Sequence, residues 1–319
     1  MKKKIKVHTI FFTYKRAILL DAAIQSLIKN FKNISYPISI IYHYEKSHKN
    51  PYNFLKKKYN RKVIFYRRKK DSIFRNLSLF FNPLNILFIL RWPKIFTEFN
   101  SFKFILEKIV NNSKKNYIML CPDDIFFYKR FQIPENLFNL IKRDSKQCFI
   151  RPAYGKNINS FNSASKFKVF EFDKIKFVQW NNNDPKCSVD MKYNFHVDAA
   201  IYEKKGLLNL ISKIIYHNPV TLEANGLRYS NLMHLFKKTI SPIVRVCSTY
   251  QINSVQTDTN LRYYKRLQVN TKILDKLYLK GYKILHKMTK LQKKHNDVIP
   301  KDIFLEKNKK IKNLKKILK

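Results

Sequence analysis

Short apolar runs alternate with amphipathic stretches through the first 125 residues. Residues 5–12 read as a buried strand, and 13–16 as a polar turn. Leu20, Ile24, Leu27, Ile28 and Phe31 then recur at the helical period, which predicts a helix over 17–30 with one buried face. Residues 37–44 predict a second strand. Asn50-Pro51 predicts a helix start, with asparagine as cap and proline at the first helical position. Residues 62–66 predict a third strand, 92–110 a helix opened by Pro93, and the run from Tyr117 a further strand. This alternation argues for an α/β domain with a largely parallel sheet.

The second part of the chain is less regular. Residues 147–180 read as shorter strands and loops. Residues 197–215 predict a helix, with Ile201, Leu208, Ile211 and Ile215 aligned. Asn218-Pro219 is a second cap-plus-proline start, with Gly226 as its stop. From 283 onward the chain is lysine-dense, and Ile311, Leu314 and Leu318 form an apolar stripe, so the end reads as a basic amphipathic tail. No internal repeat is visible.

The strand from Tyr117 carries the candidate chemistry. It runs through Cys121-Pro122 into two adjacent carboxylates, Asp123 and Asp124, and apolar residues resume at Ile125. A carboxylate in apolar surroundings must coordinate a metal, find a partner or be neutralised. Ligands of open α/β sheets bind at the carboxyl ends of strands. Hard oxygen ligands there suit Mg2+ or Mn2+ and, through the ion, a diphosphate. Asp124 is the first candidate metal ligand. Asp123 is the second, through water or toward a ribose. The plainer alternative is a turn, where aspartate bonds its own backbone.

Composition narrows the choices. The chain has 319 residues, 45% of them hydrophobic, enough for a sizeable core. Its four glycines are Gly155, Gly206, Gly226 and Gly281, so no glycine-rich phosphate cradle of the dinucleotide or P-loop kind exists. Phosphates would need a metal and cations instead. Lys+Arg total 65 against 21 Asp+Glu, a net charge of +44. Two readings of that excess stand side by side: attraction to a polyanion or acidic membrane, and a bias toward AT-rich codons, which the abundant Lys, Asn, Ile, Phe and Tyr share. Cys121, Cys148, Cys187 and Cys247 are too widely spaced for a zinc ribbon or redox dithiol. The amino terminus is too short and polar-flanked for a signal peptide, and the apolar stretch 77–90 is broken by Asn82, Pro83 and Asn85. A cytoplasmic protein is expected.

The segment Thr9-Ile10-Phe11-Phe12-Thr13-Tyr14-Lys15-Arg16, followed by the helix 18–27, resembles the opening of GT-A-fold glycosyltransferases, of the bacterial family-2-like kind. Cys121-Pro122-Asp123-Asp124 is similar to their acidic motif, although Pro122 stands where an Asp-x-Asp pattern has its first acid. Residues 188–202 (with His196-Val197-Asp198), 218–223 and 246–256 are similar to an acceptor-side region of a bacterial subgroup. The resemblance covers about residues 5–280. It implies a GT-A-like, Rossmann-type, mostly parallel sheet flanked by helices. It also implies a nucleotide-sugar half over 1–125, an acceptor half over 126–280, and a basic helical or partly disordered tail over 281–319. By the same resemblance, Thr13, Tyr14, Arg16 and Asp123 meet the nucleotide-sugar, with Lys15 and Arg16 near its diphosphate. Glu45 stands for the second-strand acid that meets the nucleoside.

The implied activity is transfer of a sugar from a nucleotide-sugar to a surface-glycan or lipid-linked acceptor, as in lipopolysaccharide or capsule biosynthesis. It would be assisted by Mn2+ or Mg2+ on Asp124, Asp123 and His196. An inverting transferase needs a general base near the acceptor hydroxyl. Asp198 is the first candidate, followed by small residues that leave room for a sugar. Glu223 is the second and Asp190 the third. For Asp198 and Glu223 the alternative is an acid early in a helix, favoured by the macrodipole. Trp180 could stack on a sugar, though core packing suits it better. The basic tail suits the anionic inner face of a plasma membrane. The competing class is a charge-driven nucleic-acid- or membrane-binding protein without catalysis, but no nucleic-acid-binding motif is visible, so no specific nucleic acid is expected. A phosphoryl- or nucleotidyl-transferase would be expected to cluster more carboxylates.

Overall fold

The computed structural model describes residues 5–70, 81–91, 93–95, 100–153, 167–172, 175–249, 269–284, 304–308 and 310–313. The strands, in chain order, are β1 Val7–Tyr14, β2 Ile38–His43, β3 Val63–Arg67, β4 Tyr117–Pro122, β5 Ile125–Phe127, β6 Cys148–Ile150, β7 Lys168–Phe172, β8 Ile175–Asn181, β9 Ala200–Glu203, β10 Lys238–Pro242, β11 Cys247–Thr249, β12 Lys283–Ile284, β13 Phe304–Lys307 and β14 Lys310–Asn313. The helices are α1 Ala17–Asn30, α2 Lys49–Tyr59, α3 Pro83–Arg91, α4 Phe102–Asn112, α5 Glu135–Arg143, α6 Lys204–Ile211, α7 Pro219–Leu232 and α8 Thr271–Leu279.

Among the described residues one sheet has the order β3-β2-β1-β4-β9-β6-β10-β8-β7. The block β3-β2-β1-β4 is parallel throughout. β9 lies antiparallel between β4 and β6. β10 is parallel to β6, β8 antiparallel to β10, and β7 antiparallel to β8. Only β9 and β8 therefore run against the rest. Both faces are covered, as a parallel sheet requires. Alternation along β1 sends Val7 and Phe11 into the core shared with α1, and Ile10 and Phe12 into the core shared with α4 and α6. β4 repeats the pattern: Tyr117, Met119 and Cys121 on one side, Ile118 and Leu120 on the other. This is the mostly parallel, helix-flanked α/β architecture expected of a GT-A-like fold.

Several elements match their sequence patterns closely. α1 spans the 17–30 window. α7 begins at Pro219 behind a full capping box, in which the Asn218 side chain accepts the Thr221 N–H and Thr221 bonds back. Other expectations need correction. α2 starts at Lys49, so Asn50 is not its cap and Pro51 sits inside the first turn, where its missing N–H costs nothing. The 92–110 window is not one helix: α3 ends at Arg91 and α4 starts at Phe102, whose N–H bonds the Asn100 side chain at 2.9 Å. Residues 92 and 96–99 lie outside the described set.

The 197–215 window is corrected most. Ala200–Glu203 is strand β9, buried at every position, and the helix follows only from Lys204. A fully buried strand and a buried helix both read as apolar, so periodicity cannot separate them. Glu203 ends the strand and caps α6, accepting the Gly206 N–H at 3.0 Å.

Gly226 does not stop α7, which runs on to Leu232. A Cβ at Gly226 would lie 2.5 Å from Cδ1 of the Phe195 ring, and that ring is buried against Tyr202. Gly226→Ala is expected to lower stability by about 1–3 kcal/mol through overpacking, despite alanine's higher helix propensity. Urea unfolding checks this; an unchanged or raised midpoint would mean that the ring yields.

The end of the chain is corrected too. Its described residues form strands β12, β13 and β14, paired antiparallel, rather than a helix. Ile284 and Leu305 are buried in the α1-side core. Ile311 lies on β14, and Leu314 and Leu318 fall outside the described residues. No helix among the described residues is long and apolar enough to cross a membrane.

Candidate active site

The sheet register assembles the site. Tyr14 pairs with His43, and Phe12 with Pro122, so β1, β2 and β4 end together. Lys15-Arg16, Glu45 and Asp123-Asp124 leave the sheet at that common edge. β9 runs antiparallel to β4 with Ala200 opposite Leu120, so Asp198, two residues earlier, arrives at the same edge from the other direction. The start of α7, just past its first turn, then brings Glu223 against His196.

Asp123 is fully buried and heavily bonded. It accepts from Thr13 Oγ1 at 2.7 Å and Arg16 Nε at 3.2 Å, and Arg16 Nη2 also contacts it. The same guanidinium reaches Asp124 Oδ2 through Nη1 at 3.2 Å. Thr13 gives its only hydroxyl proton to Asp123, so at 2.9 Å from Tyr52 it must accept the tyrosine proton. The Tyr52 oxygen in turn accepts the Arg16 backbone N–H at 3.4 Å. Burial raises the Asp123 carboxyl to about 6; Arg16 opposes the rise and neighbouring Asp124 adds to it.

Asp124 differs in one respect. Its Oδ1 is buried and has no hydrogen-bond partner. Mg2+ is commonly held by one or two carboxylates with substrate phosphates and water completing the shell. A free, buried aspartate oxygen beside a tethered carboxylate fits that mode. A closed protein cage does not fit, because no group of three or more His, Cys, Asp or Glu able to hold a metal exists among the described residues. His196 is not drawn to the acid pair: its Nδ1 lies 2.9 Å from Glu223 Oε1 and 3.9 Å from Asp198 Oδ2.

The second cluster sits around that histidine. The Tyr202 hydroxyl accepts the His196 N–H and donates to its C=O, both at 2.8 Å, which pins the loop before β9. Burial raises Asp198 to about 6; His196 opposes this, and the charges of Glu223 and Asp124 add to it. Asp198 is enclosed by protein yet keeps about a third of its side chain (35%) open to solvent, which suits a group that must meet a substrate. Mutual repulsion of Asp198 and Asp124 links the two clusters across one space. Burial also pushes Glu223 up, but His196 and the Val197 backbone N–H outweigh it and hold Glu223 below the ordinary range. Two non-glycine residues with left-handed backbone flank these groups: Lys15 (φ 54°) before Arg16 and Ala199 (φ 53°) after Asp198. Such strain gathers where surrounding structure over-determines a loop, functional sites included.

Lys15 pairs with Glu45 and lies 4.6 Å over the Tyr14 ring, which stacks on His43. Glu45 is exposed at the rim and does not touch the acid pair; its hydrogen bond from Lys15 lowers its pKa. Asp190 lends its C=O to Arg151. Trp180 is a core residue, donating to the Met191 C=O at 3.0 Å. Arg151 and Tyr52 had no sequence signal beyond position, Arg151 directly after the short apolar run of β6. Buried Arg151 acts on both Asp198 and Glu223 as a neighbouring positive charge.

No protein-family model matches the chain. Over 136 residues it is 21% identical to the bifunctional glycosyltransferase pgtA of Dictyostelium discoideum, a match spanning 40% of this chain and 17% of that protein. Among solved structures it is similar to S. aureus TarS 1-349, with a TM-score of 0.39 and 10% identity over 77% of this chain and 59% of that one. It is also similar to 4-diphosphocytidyl-2C-methyl-D-erythritol synthase of Anaerococcus prevotii, with a TM-score of 0.36 and 9% identity over 86% and 96%.

Proposed function

We propose that the chain is a glycosyltransferase that moves a sugar from a nucleotide-sugar to a glycan or lipid-linked acceptor. The observation that carries this reading is the meeting at one sheet edge of two unlike acid clusters. One is a carboxylate pair clamped by Arg16 with a free oxygen on Asp124. The other holds a solvent-open carboxylate, Asp198, poised near pKa 6. The pgtA similarity points the same way.

In this reading Thr13, Tyr14 and Arg16 line the donor side, and Arg16 fixes both aspartates. Asp124 Oδ1, with Asp123 behind it, would hold a divalent cation, which when bound would supply neutralisation of the leaving diphosphate. Asp198 accepts the proton of the acceptor hydroxyl. The acceptor oxygen bonds the anomeric carbon as the bond from that carbon to the diphosphate oxygen breaks, and the nucleoside diphosphate leaves with the electron pair. A base with a pKa near 6 is largely ionised at neutral pH yet close enough to it to transfer a proton efficiently. Glu223 holds His196, and both shape the acceptor side.

A thermal-shift screen of nucleotide-sugars and nucleoside diphosphates, with and without Mn2+, tests the donor site. A ligand that binds only the folded chain adds about 2.7 kcal/mol at 100 times its Kd. The expected result is a metal-dependent rise in Tm confined to one nucleotide family. Rises that follow only total phosphate charge and vanish with salt would replace the reading with a charge-driven polyanion binder.

A further inference from the structure

Helix α3 is apolar on two faces. Phe88, Ile89 and Asn85 face inward, and Asn85 ties the helix down: its Oδ1 accepts the Ile215 N–H at 2.9 Å and its Nδ2 donates to the Lys213 C=O at 3.2 Å. The outer face should then be polar. Instead it carries Ile86, Leu87 and Leu90, which are 46%, 59% and 70% exposed, with Phe81 before the helix at 84%. Leu232 and Met233, at the far end of α7, are also exposed. Between α3 and α7 lies a cleft of about 430 Å³ with Leu84, Leu87 and Leu232 in its wall, and Arg91 and Arg228 beside them. Scattered exposed leucines need no explanation, but a contiguous patch with a cleft does.

The arginines decide between occupants. Arg228 is partly desolvated and feels the positive charge of Arg91. Neither side chain makes a salt bridge or hydrogen bond among the described residues. A second copy of the chain, docked by two-fold symmetry, would bring the same two cations to the interface from its own side. An anionic amphiphile satisfies both features at once: phosphate suits a guanidinium pair, and acyl chains suit the leucines. A net charge of +44 favours an acidic surface further.

We infer that this face seats the protein on an acidic lipid bilayer. Ile86, Leu87, Leu90, Leu232 and Met233 enter the boundary between headgroups and acyl chains, and a lipid phosphate lies between Arg91 and Arg228. The membrane contact is thus built from α3 and the end of α7, not from the basic tail alone. α7 also carries Glu223 just past its first turn, and Arg228 is five residues on, about 7.5 Å along the helix axis. The inference stands on this face and does not depend on sugar transfer; if both hold, the acceptor is presented by the membrane itself.

A chain this basic binds acidic vesicles through its lysines alone, so the test must report on the patch. All four cysteines are buried, so Leu90→Cys takes a thiol-reactive, environment-sensitive dye selectively. The full chain is mixed with phosphatidylcholine vesicles with and without phosphatidylglycerol. The expected result is a blue shift with phosphatidylglycerol, none from the same dye at Lys57→Cys on α2, and partitioning weakened roughly tenfold or more by Leu87→Glu with Leu90→Glu. Circular dichroism should show those variants folded. A chain that sediments with vesicles while the dye at position 90 stays unshifted would overturn the inference. So would a concentration-dependent shift without vesicles, which would mean a second copy. Full displacement by inorganic phosphate would point to a soluble anion.

Discussion

Asp198→Asn is expected to lower kcat for sugar transfer by about 10²–10⁴-fold, the range a positioned general base contributes. The fold should survive. Asp198 is held near pKa 6 because burial and the charges of Glu223 and Asp124 outweigh His196. Only its deprotonated form can accept a proton, so the wild-type rate should rise with pH through about 6 and level off above it. The variant should lose that limb. The stability effect runs the other way. A carboxyl raised from its ordinary 3.8 to about 6 contributes stability that is fully present below 3.8 and lost as pH rises through 6. At pH 7 the ionised Asp198 is therefore a burden, and the asparagine variant should melt no lower than wild type. Rate–pH profiles and melting curves of the two proteins check both statements. A variant that is inactive only because it unfolds would remove the assignment.

Arg16→Ala carries the largest expected loss of stability. It strands Asp123, which is fully buried, with Thr13 as its remaining side-chain donor, and it releases Asp124 Oδ2 as well. Removing one partner of a buried ion pair costs about 3–5 kcal/mol. The sign of the pH dependence is fixed by Asp123. Its carboxyl is raised to about 6 even with Arg16 present, so protonation relieves the stranded charge. The deficit should therefore be smaller at pH 5 than at pH 8. Arg16→Ala combined with Asp123→Asn should recover more than half of it, since the charge is then gone. Urea unfolding at both pH values distinguishes this from a generic packing loss, which would not vary with pH.

The parts of this picture that were legible in the sequence are local. The β1–α1 opening and the Asn218 capping box are written in periodicity and in residues three or four apart. The acid pair was legible because an apolar run stops at two carboxylates. The rest depends on contacts made across the chain. Thr13 and Asp123 are 110 positions apart, and no local pattern announces that their side chains bond. Tyr52 and Arg151 enter only once the strands are ordered. β9 was hidden because Ala200-Ile201-Tyr202 is buried on both sides and carries no period that marks it as a strand. Gly226 looked like a stop because the ring that requires a glycine there belongs to Phe195, outside the helix. His196 was expected beside the metal, whereas the structure sets it against Glu223.

The Asp123–Asp124 edge is proposed to hold a nucleotide-sugar while Asp198 performs the proton transfer. The most direct measurement is nucleoside diphosphate release, together with calorimetric donor binding in Mn2+, for wild type, Asp124→Asn and Asp198→Asn. Release should be about 10²–10⁴-fold slower in Asp198→Asn than in wild type, with donor binding weakened at least about tenfold in Asp124→Asn and unchanged in Asp198→Asn. Equal donor affinity in wild type and Asp124→Asn, or full turnover by Asp198→Asn, would contradict this reading.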